Sequence, residues 1–470
     1  MTPDPGKELP PLKPAQILAL ALLAAAAYGV AFSVAWGAAA ILLAIPCLCL
    51  LARVGTARRA FYTGLLTGMA MYVPHLSFFF SVFGWPAVAL WVVAGLPVGV
   101  FLLLLNQAYR RFTPAWAMWL TPMLWTGVEY FRSELYYLRF AWLLPGQAAA
   151  FLPGIRLAWI GVYGLGFVYA LVAAMVVGNR MSLRVAGALA TLALAVLMYV
   201  PGLPPTPPNG PLNVAGVQLE NPDEQQAADA LDRLAAAHPE AQLLVLSEYS
   251  FVGPVPDVVR DVVRKHRRYL IAGGIRVLPG DDFSDTAFVI GPDGQDVFEQ
   301  GKSVPVQFMA DGLPASRRRV WQSPWGKVGI AVCYDVSYAR VMDDFVRQGA
   351  QGLIVPTMDL AHWGAYERRM LHGRLAPVRS AEYGIPIFGV WSSGTSQLTD
   401  RFGRVIASAG YPGQGDFIAG PFDLDQPGRV PPDRLLALAA TAGTGVFVAY
   451  LILRRISAMR SSRRVVSETR

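Results

Sequence analysis

Residues 201–211 read PGLPPTPPNGP, and this stretch separates two kinds of sequence. Repeated prolines remove amide donors and fix φ, so neither a helix nor a central strand runs through it, and a linker is expected. Before it the chain is apolar and almost free of charge. After it, short β-rich runs alternate with helical ones.

The composition is the sum of these unlike parts. The 470 residues are 54% hydrophobic and 15% charged, with mean hydropathy +0.40, where a soluble globular protein carries about 25% charged residues. Residues 1–200 hold 12 Lys+Arg and 4 Asp+Glu, and residues 454–470 hold 6 Arg and one Glu, which leaves 22 basic and 27 acidic residues for 201–453. The net charge of +8 therefore divides into +8, −5 and +5. Because the basic excess lies beside apolar runs and not on a polar face, it argues against a nucleic-acid partner and for membrane topology.

Working back from the linker, seven apolar segments fill the first 200 residues, at about 15–35, 38–52, 60–82, 84–106, 114–131, 156–178 and 185–200; an eighth lies near 434–453. Spanning a bilayer takes roughly 20 apolar residues, and without strand-like alternation these segments are expected as helices. The first exceeds the apolar length of a signal peptide and is followed directly by further spans, so it is read as retained. Arg53, Arg58, Arg59, Arg110, Arg111, Arg180, Arg184 and the arginines after the eighth span fall on one side if the N-terminus is cytoplasmic. Arg132, Arg139 and Arg156 then lie outside, so the bias is not absolute.

The expected organisation is a membrane domain over 1–200, the linker 201–211, an extracytoplasmic catalytic domain over 212–432, an eighth transmembrane helix over 433–453 and a basic cytoplasmic tail over 454–470. In the outer part, LNVAGVQL at 212, AQLLVLSE at 241, YLIAGGIRV at 269, TAFVIGPDG at 286, GKVGIAVCYD at 326, GLIVPTMD at 352 and IPIFGVWSS at 385 read as strands between helical patterns. That order favours an α/β or layered α-β-β-α domain, with antiparallel pairs at the turn signals GPDG and TDRFG.

Three cysteines remain. Cys47 and Cys49 sit inside the second span, where small apolar side chains pack well. Cys333, in GIAVCYDVSYA, has no partner in its domain, so it is either a buried inert thiol or a nucleophile. It ends an apolar strand and precedes a helix, where helix-end amides stabilise negative charge. Glu248, in LLVLSEYSF, also ends an apolar strand, and Lys302, in EQGKSVPV, stands at a third strand edge. Taken singly, each has an ordinary reading as a cap, an ion pair or a solvated side chain. Together they supply nucleophile, base and cation for acyl transfer.

The order Glu248, Lys302, Cys333, with CYD at the last, resembles the nitrilase (carbon-nitrogen hydrolase) superfamily. With seven spans before it and one after, the chain resembles the apolipoprotein N-acyltransferase family. LWTGVEYFRS at 124, FAWLLPGQ at 140 and IGVYGLGF at 160 are similar to that family's membrane-half segments, and PTMDLAHWG at 356 with the run from 367 to its outer-half segments. The resemblance implies a multi-span α-helical membrane domain bearing an inserted α-β-β-α nitrilase-like domain, with Glu248 as general base, Cys333 as nucleophile, Lys302 as the charge at the oxyanion and the Tyr334 backbone N–H as a second oxyanion donor. Asp311 is the nearest match to a second family carboxylate, one position late and one methylene short. Asp335 stands where these acyltransferases more often carry glutamate. Glu129, Arg132, Trp142 and Tyr163 are expected to support the membrane half or face lipid. The five histidines lack paired ligand spacing, and neither a metal nor a cofactor is expected.

The implied activity is N-acylation of the diacylglyceryl-cysteine of bacterial apolipoproteins by a ping-pong route through a thioacyl enzyme. A membrane phospholipid is the donor, the apolipoprotein the acceptor, and a monomer in the inner membrane the expected state. A membrane-tethered amidase and an idle lipoprotein-binding homologue remain open alternatives.

Overall fold

The computed structural model describes residues 12–151, 157–200, 212–280, 282–363, 366–410, 413 and 415–468. The linker 201–211 and Arg156 lie outside the described residues. In the first part, helices α1 (Pro14–Ser33), α2 (Ile41–Leu51), α3 (Ala57–Tyr72), α4 (Phe79–Phe83), α5 (Ala87–Arg111), α6 (Pro114–Tyr130), α7 (Leu157–Val176) and α8 (Met181–Tyr199) follow one another. A further helix, Asp433–Glu468, ends the described chain and continues without a break through the residues expected as a separate tail. Five of these helices are long and apolar enough to cross a bilayer, at Pro14–Ser33, Ala87–Arg111, Leu157–Val176, Met181–Tyr199 and Asp433–Met459. The others are shorter: α3 has 16 residues and α6 has 17, and the second apolar segment begins as a 3-10 turn, Ala35–Ala40.

Small residues set the closest helix pair. Gly64 and Gly68 on α3 face Gly95 and Gly99 on α5, and a Cβ on Gly68 would stand 2.8 Å from the Gly95 carbonyl oxygen. Apolar side chains gain little by leaving lipid for each other, so close backbone approach drives such pairing. Helix α7 breaks at Gly161, whose φ of 71° suits glycine. Its second part restarts with the Tyr163 and Gly164 amides donating to one Asp433 oxygen at 2.9 and 3.2 Å, so the last helix caps α7.

The second part holds twelve strands in two six-stranded sheets. One contains β1 (Leu212–Val217), β2 (Leu243–Val245), β3 (Tyr269–Val277), β4 (Phe283–Ile290), β5 (Asp296–Gly301) and β12 (Phe417–Phe422), in the order β12-β1-β2-β3-β4-β5. The other contains β6 (Val320–Ser323), β7 (Gly326–Ile330), β8 (Gly352–Thr357), β9 (Ile387–Trp391), β10 (Gln397–Thr399) and β11 (Val405–Ser408), in the order β11-β10-β9-β8-β7-β6. In each, three parallel strands are flanked by antiparallel ones.

Inward residues of both sheets, including Val214, Val245, Ile271, Val328, Ile330, Phe388 and Val390, form one core. Helices α9 (Glu224–Ala237) and α10 (Asp257–His266) cover the first sheet; α11 (Ala339–Arg347) and α12 (Tyr366–Tyr383) cover the second. This is the layered α-β-β-α, nitrilase-like fold. The core under α11 and α12 runs on without interruption into the helices of the first part, joining Phe345, Leu375 and Trp391 to Trp142, Leu143 and Tyr28.

Candidate active site

The carboxyl ends of parallel strands are where open α/β sheets bind ligands, and the sites of interest gather there. Glu248 lies three residues beyond β2. Its backbone packs flush on β3: a Cβ at Gly273 would stand 2.5 Å from the Glu248 Cα, so only glycine fits. Lys302 follows β5, its amide donating to Asp285 O at 2.8 Å. Cys333 follows β7 and opens a 3-10 turn, Cys333–Ser337, at a φ of 49°. A non-glycine residue in the left-handed region is strained, and such strain gathers at functional turns.

These side chains converge. The Lys302 ammonium lies 2.6 Å from Glu248 Oε1, 2.7 Å from Asp311 Oδ2 and 3.3 Å from Asp285 Oδ2. Glu248 Oε2 accepts the Met358 amide at 2.6 Å, and Cys333 lies beside Glu248 and Lys302, whose charges both act on its thiol. Glu248, Lys302 and Asp285 are buried; Cys333 is half-buried. Glu248, Asp285 and Asp311 present oxygens within 4.8 Å of one another, a spacing a cation could bridge, but the Lys302 ammonium already stands among them.

The charges follow from this packing. Burial pushes the Glu248 carboxyl up, yet the Lys302 charge and the hydrogen bonds outweigh it and hold the group below the ordinary glutamate range. Burial likewise opposes the Lys302 charge, and Glu248, Cys333, Asp285 and Asp311 overcome it, keeping the lysine protonated well above its ordinary range. Burial, then the Glu248 charge, push the Cys333 thiol well up, with Lys302 offsetting part. The resting thiol therefore keeps its proton beside an ionised carboxylate that can accept it.

Asp311 and Asp335 organise the backbone around the lysine. Asp311 closes the loop after it, accepting the Val306 amide at 2.5 Å and the Tyr249 hydroxyl at 3.0 Å. Asp335 lies within the Cys333 turn and is fully buried. Its carboxylate accepts the amides of Ser303 (2.9 Å), Val304 (2.8 Å) and Val332 (3.3 Å), tying the segment after Lys302 to the Cys333 turn.

Cys333 opens on a cavity of about 740 Å³ lined by both parts of the chain. Phe78, Phe79, Leu90, Val128 and Val448 come from the helices, and Met358, Trp363 and Trp391 from the sheet side. Arg132 and Arg139 are the charged side chains among its lining residues. Trp142 lines it too, donating from Nε1 to Ser337 Oγ at 2.8 Å and meeting Tyr334 edge-on at 5.5 Å. Glu129 and Tyr163 are not among the lining residues. Glu129 is buried 4.0 Å from Arg132, and the Tyr163 hydroxyl donates to Glu134 at 3.3 Å.

Residues 19–175 match the family model of the apolipoprotein N-acyltransferase N-terminal domain, and residues 213–420 that of carbon-nitrogen hydrolase. The chain belongs to the apolipoprotein N-acyltransferase family, in the nitrilase superfamily. This family member is 25% identical to the apolipoprotein N-acyltransferase of Shewanella oneidensis over 417 residues, 73% of this chain and 80% of that one. It is 28% identical over 180 residues to the omega-amidase NIT2-B of Xenopus laevis; the match takes in 34% of this chain and spans 63% of the length of that relative. The crystal structure of Saccharomyces cerevisiae Nit3, a nitrilase-superfamily member, matches 45% of this chain and 90% of its own at 21% identity and a TM-score of 0.40.

Two members of the site escaped the sequence reading. Asp285 had a signal: it is the lone acid in the strand FSDTAFVI. The Met358 amide had none, because it is a backbone donor aimed by the turn after β8.

Proposed function

We propose that this protein transfers an acyl chain from a membrane phospholipid to the α-amino group of a diacylglyceryl-cysteine at the N-terminus of an apolipoprotein, through a thioacyl enzyme on Cys333. The observation that carries this reading is the cavity beside Cys333: an apolar volume shared by helices and sheets, with arginines in its wall, suits acyl chains and an anionic headgroup better than a small amide. In the first half-reaction the thiol proton passes to Glu248 as sulfur bonds to the ester carbonyl carbon. Lys302 and the Tyr334 amide stabilise the oxyanion. The ester C–O bond then breaks, and the lysophospholipid leaves with the proton from Glu248. In the second, the amine attacks the thioester, Glu248 takes its proton, and the C–S bond breaks to regenerate the thiol and release the amide.

The partition into membrane domain 1–200, linker 201–211, catalytic domain 212–432 and closing helix from 433 belongs to the same reading. Eight spans with both termini cytoplasmic would hold Cys333 near the outer leaflet, where anchored substrates arrive by diffusion in two dimensions. That turns a search in volume into a positioned encounter. No step needs an assembly, so a monomer suffices. The deciding experiment is mass spectrometry of the full-length protein after incubation with phospholipid. An acyl mass is expected on the peptide containing Cys333, chased off by a diacylglyceryl peptide. Normal transfer by a Cys333→Ala protein would overturn the assignment, and hydrolysis of small amides without phospholipid would favour the tethered amidase.

A further inference from the structure

Three carboxyl groups surround one ammonium in this site, and if all are ionised they take every donor it has. Lys302 has three N–H donors. Glu248 and Asp311 take one each at 2.6 and 2.7 Å; the contact to Asp285 is the longest, at 3.3 Å. Were Asp285 an anion it would capture the third donor, leaving none for an oxyanion. Asp285 is fully buried, and apart from that long contact neither of its oxygens finds a donor among the described residues. Its carboxyl instead lies beside the Glu248 carboxylate, one oxygen of each within 4.8 Å of the other. With one ammonium among three carboxyl groups, a proton shared between Asp285 and Glu248 relieves the repulsion that remains.

We propose that Asp285 is a positioning residue that works as a neutral acid, donating its proton in a hydrogen bond to Glu248 and so leaving the third N–H of Lys302 free for the oxyanion. The titratable groups around it are Glu248 and Tyr249 after β2, Lys302 after β5 and Asp311 in the following loop. Burial first, then the negative charge of Glu248, raise its carboxyl well above the ordinary range, with Lys302 opposing. The sign is then set. Below that titration the acid is neutral and the oxyanion site is open; above it, ionised Asp285 occupies Lys302 and acylation falls.

This inference rests on the acyl-transfer reading, and its test separates the two. Full-length wild type and Asp285→Asn are compared with phosphatidylethanolamine–phosphatidylglycerol vesicles across the alkaline range, by single-turnover acylation of Cys333. Asparagine keeps a donor toward Glu248 but cannot ionise. At neutral pH the variant is expected to be about two- to tenfold slower, the worth of exchanging one hydrogen bond, and to lack the alkaline fall seen in wild type. An unchanged alkaline fall in the variant would overturn the proposal. Infrared spectra of the same two proteins, without substrate, look for the carbonyl stretch of a protonated carboxyl at neutral pH. It is expected in wild type, disappearing as that protein is titrated to alkaline pH, and it is expected to be missing from the variant. A wild-type protein without that titrating band refutes neutral Asp285 whether or not the variant folds. If neither protein is acylated, the acyl-transfer reading fails while the infrared comparison still decides the state of Asp285.

Discussion

Asp335→Asn is the substitution whose consequences the structure specifies most fully. One carboxylate oxygen of Asp335 accepts the Ser303 and Val304 amides at 3.0 and 2.8 Å, and the other accepts Ser303 and Val332 at 2.9 and 3.3 Å. Asparagine can satisfy the first pair. It turns an NH₂ group toward the Val332 amide and strands that donor. A hydrogen bond to a charged group contributes about 1.5–3 kcal/mol, and a stranded buried donor costs about 1–3 kcal/mol, but the substitution also removes a buried charge, so little net loss of stability is expected at neutral pH. Activity falls, because Ser303 adjoins Lys302 and a shift of about 1 Å in a catalytic group costs about 10²-fold.

The pH dependence makes this prediction distinctive. Burial pushes Asp335 up to about 6, against amide hydrogen bonds and Lys302 that pull it down. Its folded pKa thus lies above the unfolded value, and between about pH 4 and 6 the native state holds the extra proton. This group's share of stability therefore falls by about 3 kcal/mol as pH rises through that window. Acylation moves the other way: below about pH 6 the protonated carboxyl loses an acceptor and loosens the Lys302 segment. Wild type should become slower but no less stable from this group on acidification, and the variant should show neither change. Thermal melts and Cys333 acylation, both measured against pH, give the answer. A variant acylated like wild type, with the same acid limb in rate and in melting temperature, would refute the argument.

Arg434→Met removes a buried guanidinium that contacts Glu382 at 2.9 Å, Asp433 at 2.7 Å, Asp343 at 3.3 Å and the Tyr383 hydroxyl at 2.7 Å. Stranding those acids should cost about 3–5 kcal/mol, read as a lower melting temperature in detergent. Gly68→Val drives a side chain into the Gly95 carbonyl oxygen and should destabilise by about 1–3 kcal/mol or more; Gly29→Ala, with nothing within 4 Å, serves as the neutral control. Trp142→Phe loses the 2.8 Å bond to Ser337 but keeps a ring against Tyr334. A stability change of about 1 kcal/mol with a larger fall in acylation rate is expected; equal effects on both would assign Trp142 to packing alone.

What could be read without coordinates was whatever depends on local pattern. The long helices announce themselves because a span cannot hide charge, and the readings 114–131 and 156–178 fall within two residues of α6 and α7. The short strands β6 and β12 were not read, being edge elements whose existence depends on a neighbour. Segment 60–82 was read as one span; Pro74 and the 3-10 turn Val73–Leu76 divide it into α3 and α4. In the site, Glu248, Lys302 and Cys333 were legible because polar residues at the ends of apolar strands stand out. Gly161 was noticed as part of a motif, but its reason, the Asp433 carboxylate resting against it, lies 272 positions away. Asp335 was legible only as a neighbour of Cys333, and adjacency does not reveal that its carboxylate accepts the amides of the Lys302 segment.

The turn after Cys333 shows how the two parts of the chain lock together. A tight 3-10 turn leaves backbone and hydroxyl groups unpaired, and at an apolar boundary they need partners. The chain between α6 and α7 supplies them. Trp142 bonds Ser337, Arg139 O accepts the Tyr338 hydroxyl at 3.0 Å, and Glu134 caps α11 by accepting the Ala339 amide at 2.8 Å, an anion at a helix N-terminus. From the other side Arg379, on α12, donates to the carbonyls of Val336 and Ser337 and pairs with Glu382, which Arg434 holds in turn. The left-handed φ of Cys333 is thus held by groups from the α6–α7 segment, α12 and the last helix together. A sheet carrying the same cysteine turn without those helices would leave these polar groups without the partners they have here. The helical part therefore does more than anchor the site: its hydrogen bonds help to hold the shape of the turn that carries the thiol.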